Sequence, residues 1–130
     1  MRGAITCDED TKDEIDVKTQ TLVREMLERN DVEHDDLVSI IFTATDDLTA
    51  TFPATAARAL GLGDVPLLCM RELGVTGAMP RCIRVLIHLN TDLPQSAMRH
   101  VYLRDAVSLR RDLVERYGQS DDPKGDTLAT

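Results

Sequence analysis

One arginine stands on a strand-like segment whose other positions are mostly apolar. From Cys82 to Thr91 the residues alternate with a period of two, and one face consists of Ile, Val and Leu. Arg84 lies on the opposite face, where a desolvated guanidinium needs an acceptor. Two interpretations are open at this point. Either Arg84 pairs with a carboxylate of the chain, or it binds an anion or a charge that develops during a reaction.

A thiol and a carboxylate follow another apolar segment, Val65–Met70. Cys69 and Glu72 stand where this predicted strand becomes a loop, a place where functional groups often collect. Cys69 has no evident histidine and acid partners in the sequence, which gives covalent catalysis by a thiolate little support. A catalyst made from these residue types would act through placed charges, shape and hydrogen bonds.

The sequence lacks the motifs of several enzyme classes. It contains no Walker loop, no glycine-rich dinucleotide fingerprint, no HExxH and no GxSxG. The three histidines are not spaced as metal ligands, and the Asp46-Asp47 pair is typical of a solvated turn. We therefore predict neither a cofactor nor a metal.

The elements that must position these groups follow the order β-α-β-α-β-β-β. This order predicts an α+β fold with a mixed β-sheet of about five strands and helices packed on one face. Thr11 to Glu14 has the spacing of a capping box, and apolar residues then recur at helical spacing up to Asn30. Pro53 and Gly61 are typical of the start and the end of a second, shorter helix.

The C-terminal part contains two further strand-like segments, His100–Leu103 and Ala106–Leu109. We predict a single domain over residues 1–117 and a disordered tail over residues 118–130, whose mixture of Ser, Asp, Gly, Pro and Lys is typical of disorder. Phe52, at the entry of the second helix, has two open interpretations: a staple onto the core, or a wall of a binding site.

The composition suits one globular domain of 130 residues, with 42% hydrophobic and 29% charged residues. A net charge of −8 argues against nucleic acid as a partner. No apolar run approaches the length of a membrane span, and the start shows no signal-peptide pattern. Three cysteines without CxxC spacing predict free thiols and a cytoplasmic location. Twelve of the fifteen basic residues are Arg, which fits a carboxylate-rich ligand or a genomic codon bias equally well.

Short segments in a fixed order along residues 1–113 carry a family resemblance. They are Arg2–Ala4, Ala44–Leu48, Phe52–Ala54, Arg58, Val65-Pro66, Cys69-Met70, Glu72, Val75–Gly77, Cys82–Val85, Thr91-Asp92, Arg99–Leu103, Leu109-Arg110 and Asp112-Leu113. No single segment is specific, but the ordered set resembles the monofunctional chorismate mutases of the trimeric pseudo-α/β-barrel (AroH) type.

The resemblance implies the [3,3] rearrangement of chorismate to prephenate in aromatic amino-acid biosynthesis, without a covalent intermediate. It also implies a homotrimer with active sites at the subunit interfaces. Arg84 would contact the ether oxygen, where negative charge develops as the C–O bond breaks. Arg2 and Tyr102 would join Arg84 on the side-chain carboxylate of the substrate.

The resemblance assigns the remaining site residues to the ring hydroxyl, the walls and the mouth. Glu72 and Cys69 would hold the hydroxyl, with the backbone of Leu68, Met70 and Arg71 lining that side. Phe52, Ala54 and Leu109 would form apolar walls, and Arg58 and Arg110 would attract the dianionic substrate at the mouth.

The sequence departs from the family pattern at several positions outside these charges. Thr55 replaces a common Lys, Leu68 a small polar residue and Pro80 a Lys, and one residue is missing near Gly61 to Asp64. Two other functions remain open from the sequence. One is a trimeric imine or enamine deaminase of related fold, and the other is a non-catalytic module that binds a metabolite for regulation.

Overall fold

The computed structural model describes residues 1–112 as one mixed five-stranded sheet with two helices. The strands are β1 (Arg2–Thr6), β2 (Leu37–Ala44), β3 (Leu67–Arg71), β4 (Cys82–Leu89) and β5 (Val101–Tyr102), in the order β3-β2-β4-β1-β5. β1 with β5 and β2 with β3 are parallel, whereas β4 runs antiparallel to both of its neighbours. The α+β prediction is confirmed. The predicted domain end at residue 117 and the predicted tail lie outside the described residues.

The long helix α1 (Lys12–Arg29) begins as the sequence predicts, although only half of the capping box forms. The hydroxyl of Thr11 accepts a hydrogen bond from the backbone N–H of Glu14 at 3.2 Å. The carboxylate of Glu14 accepts from the backbone N–H of Asp8 at 2.8 Å, where a complete capping box would use the N–H of Thr11. Glu14 therefore ties the β1–α1 connection to the helix.

The second helix, α2 (Pro53–Ala57), continues as a wider π-turn over Arg58–Leu62. Pro53 lies in the first helical turn, and Gly61 breaks the helical geometry one residue before the π-turn ends, with a φ of 87° that glycine adopts without strain. Both end signals are confirmed. The interpretation of Phe52 as a staple is wrong, because the side chain is 69% exposed.

The two helices cover one face of the sheet and form the main core with it. Ile83, Val85 and Ile87 of β4 lie on this face and are fully or almost fully buried. The opposite face carries Arg84 and is only partly covered. A smaller apolar cluster there includes Ala4 and Cys82. The remainder of that face is open, which leaves room for a site.

The segment that covers part of the open face is a 3₁₀ helix, Asp105–Leu109, so the prediction of a strand at Ala106–Leu109 is wrong. Arg104 has a φ of 55°, which turns the chain out of the sheet after β5. The backbone N–H of Asp105 then donates to the hydroxyl of Thr6 at 3.2 Å. Ala106 and Val107 are both buried, a pattern that a strand with alternating faces does not give.

Gly3 sets the distance between β1 and α1. A Cβ at this position would lie 2.6 Å from Sδ of Met26 and 3.0 Å from the carbonyl oxygen of Val101. Only a residue without a side chain lets the helix lie this close to the strand. This close packing fixes the backbone that carries Arg2.

Candidate active site

A row of residues in register crosses all five strands on the open face. Met70 of β3 pairs with Thr43 of β2, Thr43 with Arg84 of β4, Arg84 with Ala4 of β1, and Ala4 with Tyr102 of β5. In-register neighbours have Cβ atoms about 4.5–5.5 Å apart and project from the same face. The sheet register, rather than any local sequence pattern, therefore brings Arg84 and Tyr102 to one site.

A cavity of about 470 Å³ lies over this row. Its lining is mostly apolar with a few convergent polar groups, which is typical of small-molecule sites. The residues that line it are Arg2, Gly3, Ile41, Thr43, Met70, Glu72, Arg84, Val85, Leu86, Tyr102, Leu109 and Arg110. Seven of the residues assigned from the sequence are among them: Arg2, Met70, Glu72, Arg84, Tyr102, Leu109 and Arg110.

Arg84 has a carboxylate partner and still faces the cavity. Its Nε lies 3.3 Å from Oε2 of Glu72, a charge contact whose N–H is not aligned for a hydrogen bond. The contact involves the nitrogen nearest the backbone, and the Arg84 side chain is 43% exposed against 19% for Glu72. The two interpretations of Arg84 are therefore compatible. One carboxylate offsets part of its charge, while the partly exposed side chain also lines the cavity.

Arg2 is held at the rim of the cavity by its backbone. Its N–H donates to Nδ1 of His100 at 3.0 Å, so this ring nitrogen must be unprotonated. Burial, followed by the charge of Arg2, lowers the pKa of His100 to about 4. The imidazole is therefore neutral near pH 7 and remains an acceptor. His100 was not among the residues predicted for the site.

The far side of the cavity is formed by the C-terminal part of the described chain. Tyr102 is buried, and Leu109 is the last residue of the 3₁₀ helix. Arg110 follows and pairs with Asp112 through two contacts of 3.0 and 3.1 Å. This hydrogen bond raises the pKa of Arg110, which keeps its charge at any physiological pH.

The other predicted site residues do not line this cavity within one chain. Phe52, Cys69 and Arg71 border a separate cleft of about 420 Å³, and Met70 is the one described residue that lines both. Cys69 packs against the main core on the helix side of the sheet. It therefore faces away from Glu72, because residues three apart on an extended chain point to opposite sides.

Three further predicted residues also lie outside the cavity. Ala54 is buried in the main core, and Leu68 is half-exposed on β3. Arg58 donates from Nη2 to the hydroxyl of Thr55 at 3.1 Å. Thr55, which stands where the family commonly has Lys, therefore orients a neighbouring cation.

The residues that sequence reasoning missed are Thr43, Ile41 and Leu86, besides the backbone positions Gly3 and Val85. The hydroxyl of Thr43 donates to Oε2 of Glu72 at 2.5 Å. Ile41 and Leu86 pair with one another across β2 and β4, and both add apolar surface to the cavity lining. The period of two along β2 puts Thr43 and Ile41 on the same face of that strand. The sequence did not show that this is also the face of the sheet that carries Arg84.

Burial raises the pKa of the Cys82 thiol to about 11, so Cys82 is not a nucleophile near pH 7. Within residues 1–112, no group of three or more His, Cys, Asp or Glu side chains is arranged to hold a metal. No helix in this part of the chain is long and apolar enough to cross a membrane.

These features define a class: a small α+β protein whose sheet carries a cavity with several arginines, suited to a small anionic ligand. The comparisons with known proteins specify it further. The family model of chorismate mutase type I matches residues 1–113. The chain therefore belongs to the chorismate mutase type I family.

Relatives and a solved structure agree with this assignment. The chain is 54% identical to chorismate mutase AroH of Thermus thermophilus over 114 residues, covering 87% of this chain and 93% of that one. It is 46% identical to chorismate mutase AroH of Bacillus subtilis (strain 168), covering 87% and 90%. The structure of a chorismate mutase from Clostridium thermocellum matches with a TM-score of 0.82 and 49% identity, covering 83% and 96%.

Proposed function

We propose that the protein catalyses the rearrangement of chorismate to prephenate in the cavity over the Arg84 row. The observation that carries this proposal is the placement of Arg84 on the rigid central strand β4, bordering an apolar cavity that Arg2 and Arg110 also line. A dicarboxylate needs such cations, and the low polarity around them strengthens the attraction.

The reaction needs no proton transfer and no redox partner. One C–O bond breaks and one C–C bond forms within the same molecule, so the protein's contribution is to hold the reactive conformer and stabilise its charge. Negative charge grows on the ether oxygen as the C–O bond breaks. Arg84 would stabilise that charge more in the transition state than in the ground state, which lowers the barrier.

The other groups of the cavity would hold the substrate in place. Arg2 and Tyr102 would bind the side-chain carboxylate together with Arg84, and the apolar side chain of Leu109 would favour the compact conformer. Glu72 would accept a hydrogen bond from the ring hydroxyl. Arg110 would attract the dianion at the mouth, where the potential must be positive despite a net charge of −8.

We further propose that a neighbouring copy of the chain completes each site. Phe52, Arg58, Leu68, Cys69 and Arg71 would then reach the cavity from the next subunit of a homotrimer, whereas Ala54 is buried in the core of its own chain. The large exposed fractions of Phe52 (69%), Leu68 (53%) and Leu73 (80%) support an interface near β3, because apolar side chains of this size are normally covered. β3 is also an edge strand, whose unpaired backbone favours association.

The experiment that tests the function is the loss of chorismate's ultraviolet absorbance on addition of the purified protein, with prephenate identified as the product. Binding of chorismate or prephenate without conversion would contradict the proposal and support a regulatory module. Ammonia release from imino acids, with chorismate left intact, would support a deaminase.

A further inference from the structure

Glu72 is held by two groups that act on the same carboxylate oxygen. Oε2 accepts the hydroxyl hydrogen of Thr43 at 2.5 Å and lies 3.3 Å from Nε of Arg84. Within residues 1–112 the other oxygen, Oε1, accepts no hydrogen bond. Glu72 also lines the cavity. The carboxylate is therefore fixed through one oxygen, and the second oxygen remains available to a ligand.

The backbone fixes Thr43 and Glu72 relative to one another. Thr43 lies between Met70 and Arg84 in the sheet register. The backbone N–H of Glu72 donates to the carbonyl of Ala44 at 3.0 Å, which extends the β2–β3 pairing one residue beyond β3. Both ends of the Thr43–Glu72 hydrogen bond are thus attached to one rigid sheet.

From this geometry we infer that Thr43 is a positioning residue, which orients the Glu72 carboxylate so that Oε1 meets the hydroxyl of the substrate. This inference rests on the proposed function, because Glu72 has this task only if the cavity binds chorismate. Thr43 acts through Glu72 and needs no contact with the substrate.

The test is a pair of substitutions at position 43 with a matched control in α1. Thr43→Val removes the hydroxyl and keeps the branched shape, whereas Thr43→Ser keeps the hydroxyl. Thr19→Val makes the same chemical change at a buried threonine on the helix side, whose hydroxyl has no hydrogen-bond partner among the described residues. Wild-type turnover is measured first. If wild type does not convert chorismate, the proposed function fails, whatever Thr43 does.

Given wild-type turnover, Thr43→Val should lower kcat/KM about tenfold, a typical effect of losing a hydrogen bond to a charged group. The larger part should be a rise in KM, since the substrate hydroxyl is present before and during the reaction. Thr43→Ser should remain within about threefold of wild type, and Thr19→Val should match wild type. Wild-type kinetics for Thr43→Val, or a fall in kcat with KM unchanged, would overturn the inference.

A double-mutant cycle with Glu72→Gln separates positioning from a general structural effect. If Thr43 acts through the carboxylate, adding Thr43→Val to the Glu72→Gln variant should lower kcat/KM less than about twofold. A full additional tenfold loss would overturn the inference. If turnover of Glu72→Gln is too slow to measure, the dissociation constant of prephenate is measured by calorimetry for the four proteins of the cycle. A further loss of affinity below about twofold supports the inference, and a full tenfold further loss overturns it.

Discussion

At the scale of the residue, the Arg84 side chain both pairs with a carboxylate of the chain and lines the cavity. Its inner nitrogen lies beside Glu72, which offsets the cost of placing a cation on an apolar strand. Its outer part borders the cavity beside Arg2 and Tyr102. If Arg84 has the role that we propose, a guanidinium already held by the sheet would need little reorganisation when charge develops in the transition state.

We predict that positive charge, rather than hydrogen bonding alone, is what Arg84 contributes. Replacing Arg84 with citrulline keeps the shape and the donors but removes the charge, and kcat should fall by about 10²–10³-fold or more. The kcat of Arg84→Ala should fall by at least the same factor. The measurement is chorismate consumption, with circular dichroism and size-exclusion chromatography to verify that the variants fold and assemble.

Arg24, exposed on the surface of α1, provides the control for Arg84. Arg24→Ala removes an equal charge away from the cavity and should leave kcat unchanged. A citrulline variant as fast as wild type would show that the charge of Arg84 is not the stabilising factor.

At the scale of the element, the site depends on how α1 packs on β1. Gly3 lies between Arg2, which lines the cavity, and Ala4, which pairs with Arg84 across the sheet. The helix reaches β1 through Leu22 and Met26, both fully buried. The packing on one face of the sheet therefore determines the backbone position of residues that line the cavity on the other face.

We predict that Gly3→Ala destabilises the protein by about 2 kcal/mol, the usual scale for overpacking a filled core. The new Cβ would lie 3.0 Å from a backbone carbonyl, which cannot move aside as a side chain can. The free energy of unfolding, obtained from urea titration, checks this value.

Gly63→Ala is the matched control for Gly3→Ala. Gly63 has a φ of −67°, and the nearest atom to its new Cβ would be Cγ of Arg58 at 3.7 Å, an ordinary contact. Its stability should equal that of wild type or exceed it slightly. If Gly3→Ala is as stable as Gly63→Ala, the close approach of α1 does not depend on glycine.

At the scale of the whole molecule, one chain provides two separate groups of the residues assigned to the site. The Arg84 group lies on the open face of the sheet and consists of Arg2, Glu72, Arg84, Tyr102, Leu109 and Arg110. The Phe52–Cys69 group borders the other cleft and consists of Phe52, Cys69 and Arg71. A monomer would leave both groups incomplete. A ring of three identical chains brings the second group of each chain against the first group of its neighbour, which is the arrangement we propose.

We predict that two inactive variants with defects in different groups restore activity when they are mixed. Arg84→Ala damages one group, and Phe52→Glu places a negative charge in the other, at a residue that is 69% exposed in the single chain and whose replacement should leave that chain folded. After joint unfolding and refolding at equal amounts, random trimers should recover about a quarter of wild-type activity, because each mixed trimer contains one intact site.

Two comparisons control the mixing experiment. Mass measurement in solution should give a trimer for each variant and for the mixture. Refolding Arg84→Ala with Arg2→Ala, whose defects lie in the same group, should restore nothing. Recovery in that control, or none in the first mixture, would contradict a site shared between subunits.

The sequence by itself determined most of the elements and singled out Arg84 as a cation on an apolar strand. The period of two in β4, the Thr11 cap of α1, and the Pro53 and Gly61 ends of the second helix are local signals, and the structure has each of them. The family, too, could be inferred from ordered segments. The segment Ala106–Leu109 was predicted wrongly, because a left-handed Arg104 redirects the chain in a way that apolar composition does not encode.

Only the tertiary structure decided which residues share the site. Thr43 lies beside Arg84, and Tyr102 two strands away in the same row, because of pairings between segments distant in the chain. Cys69 and Glu72, close in sequence, face opposite sides of the sheet. The physical reason is that a strand's own pattern sets its two faces, whereas register with its neighbours is fixed by packing and hydrogen bonds across the sheet.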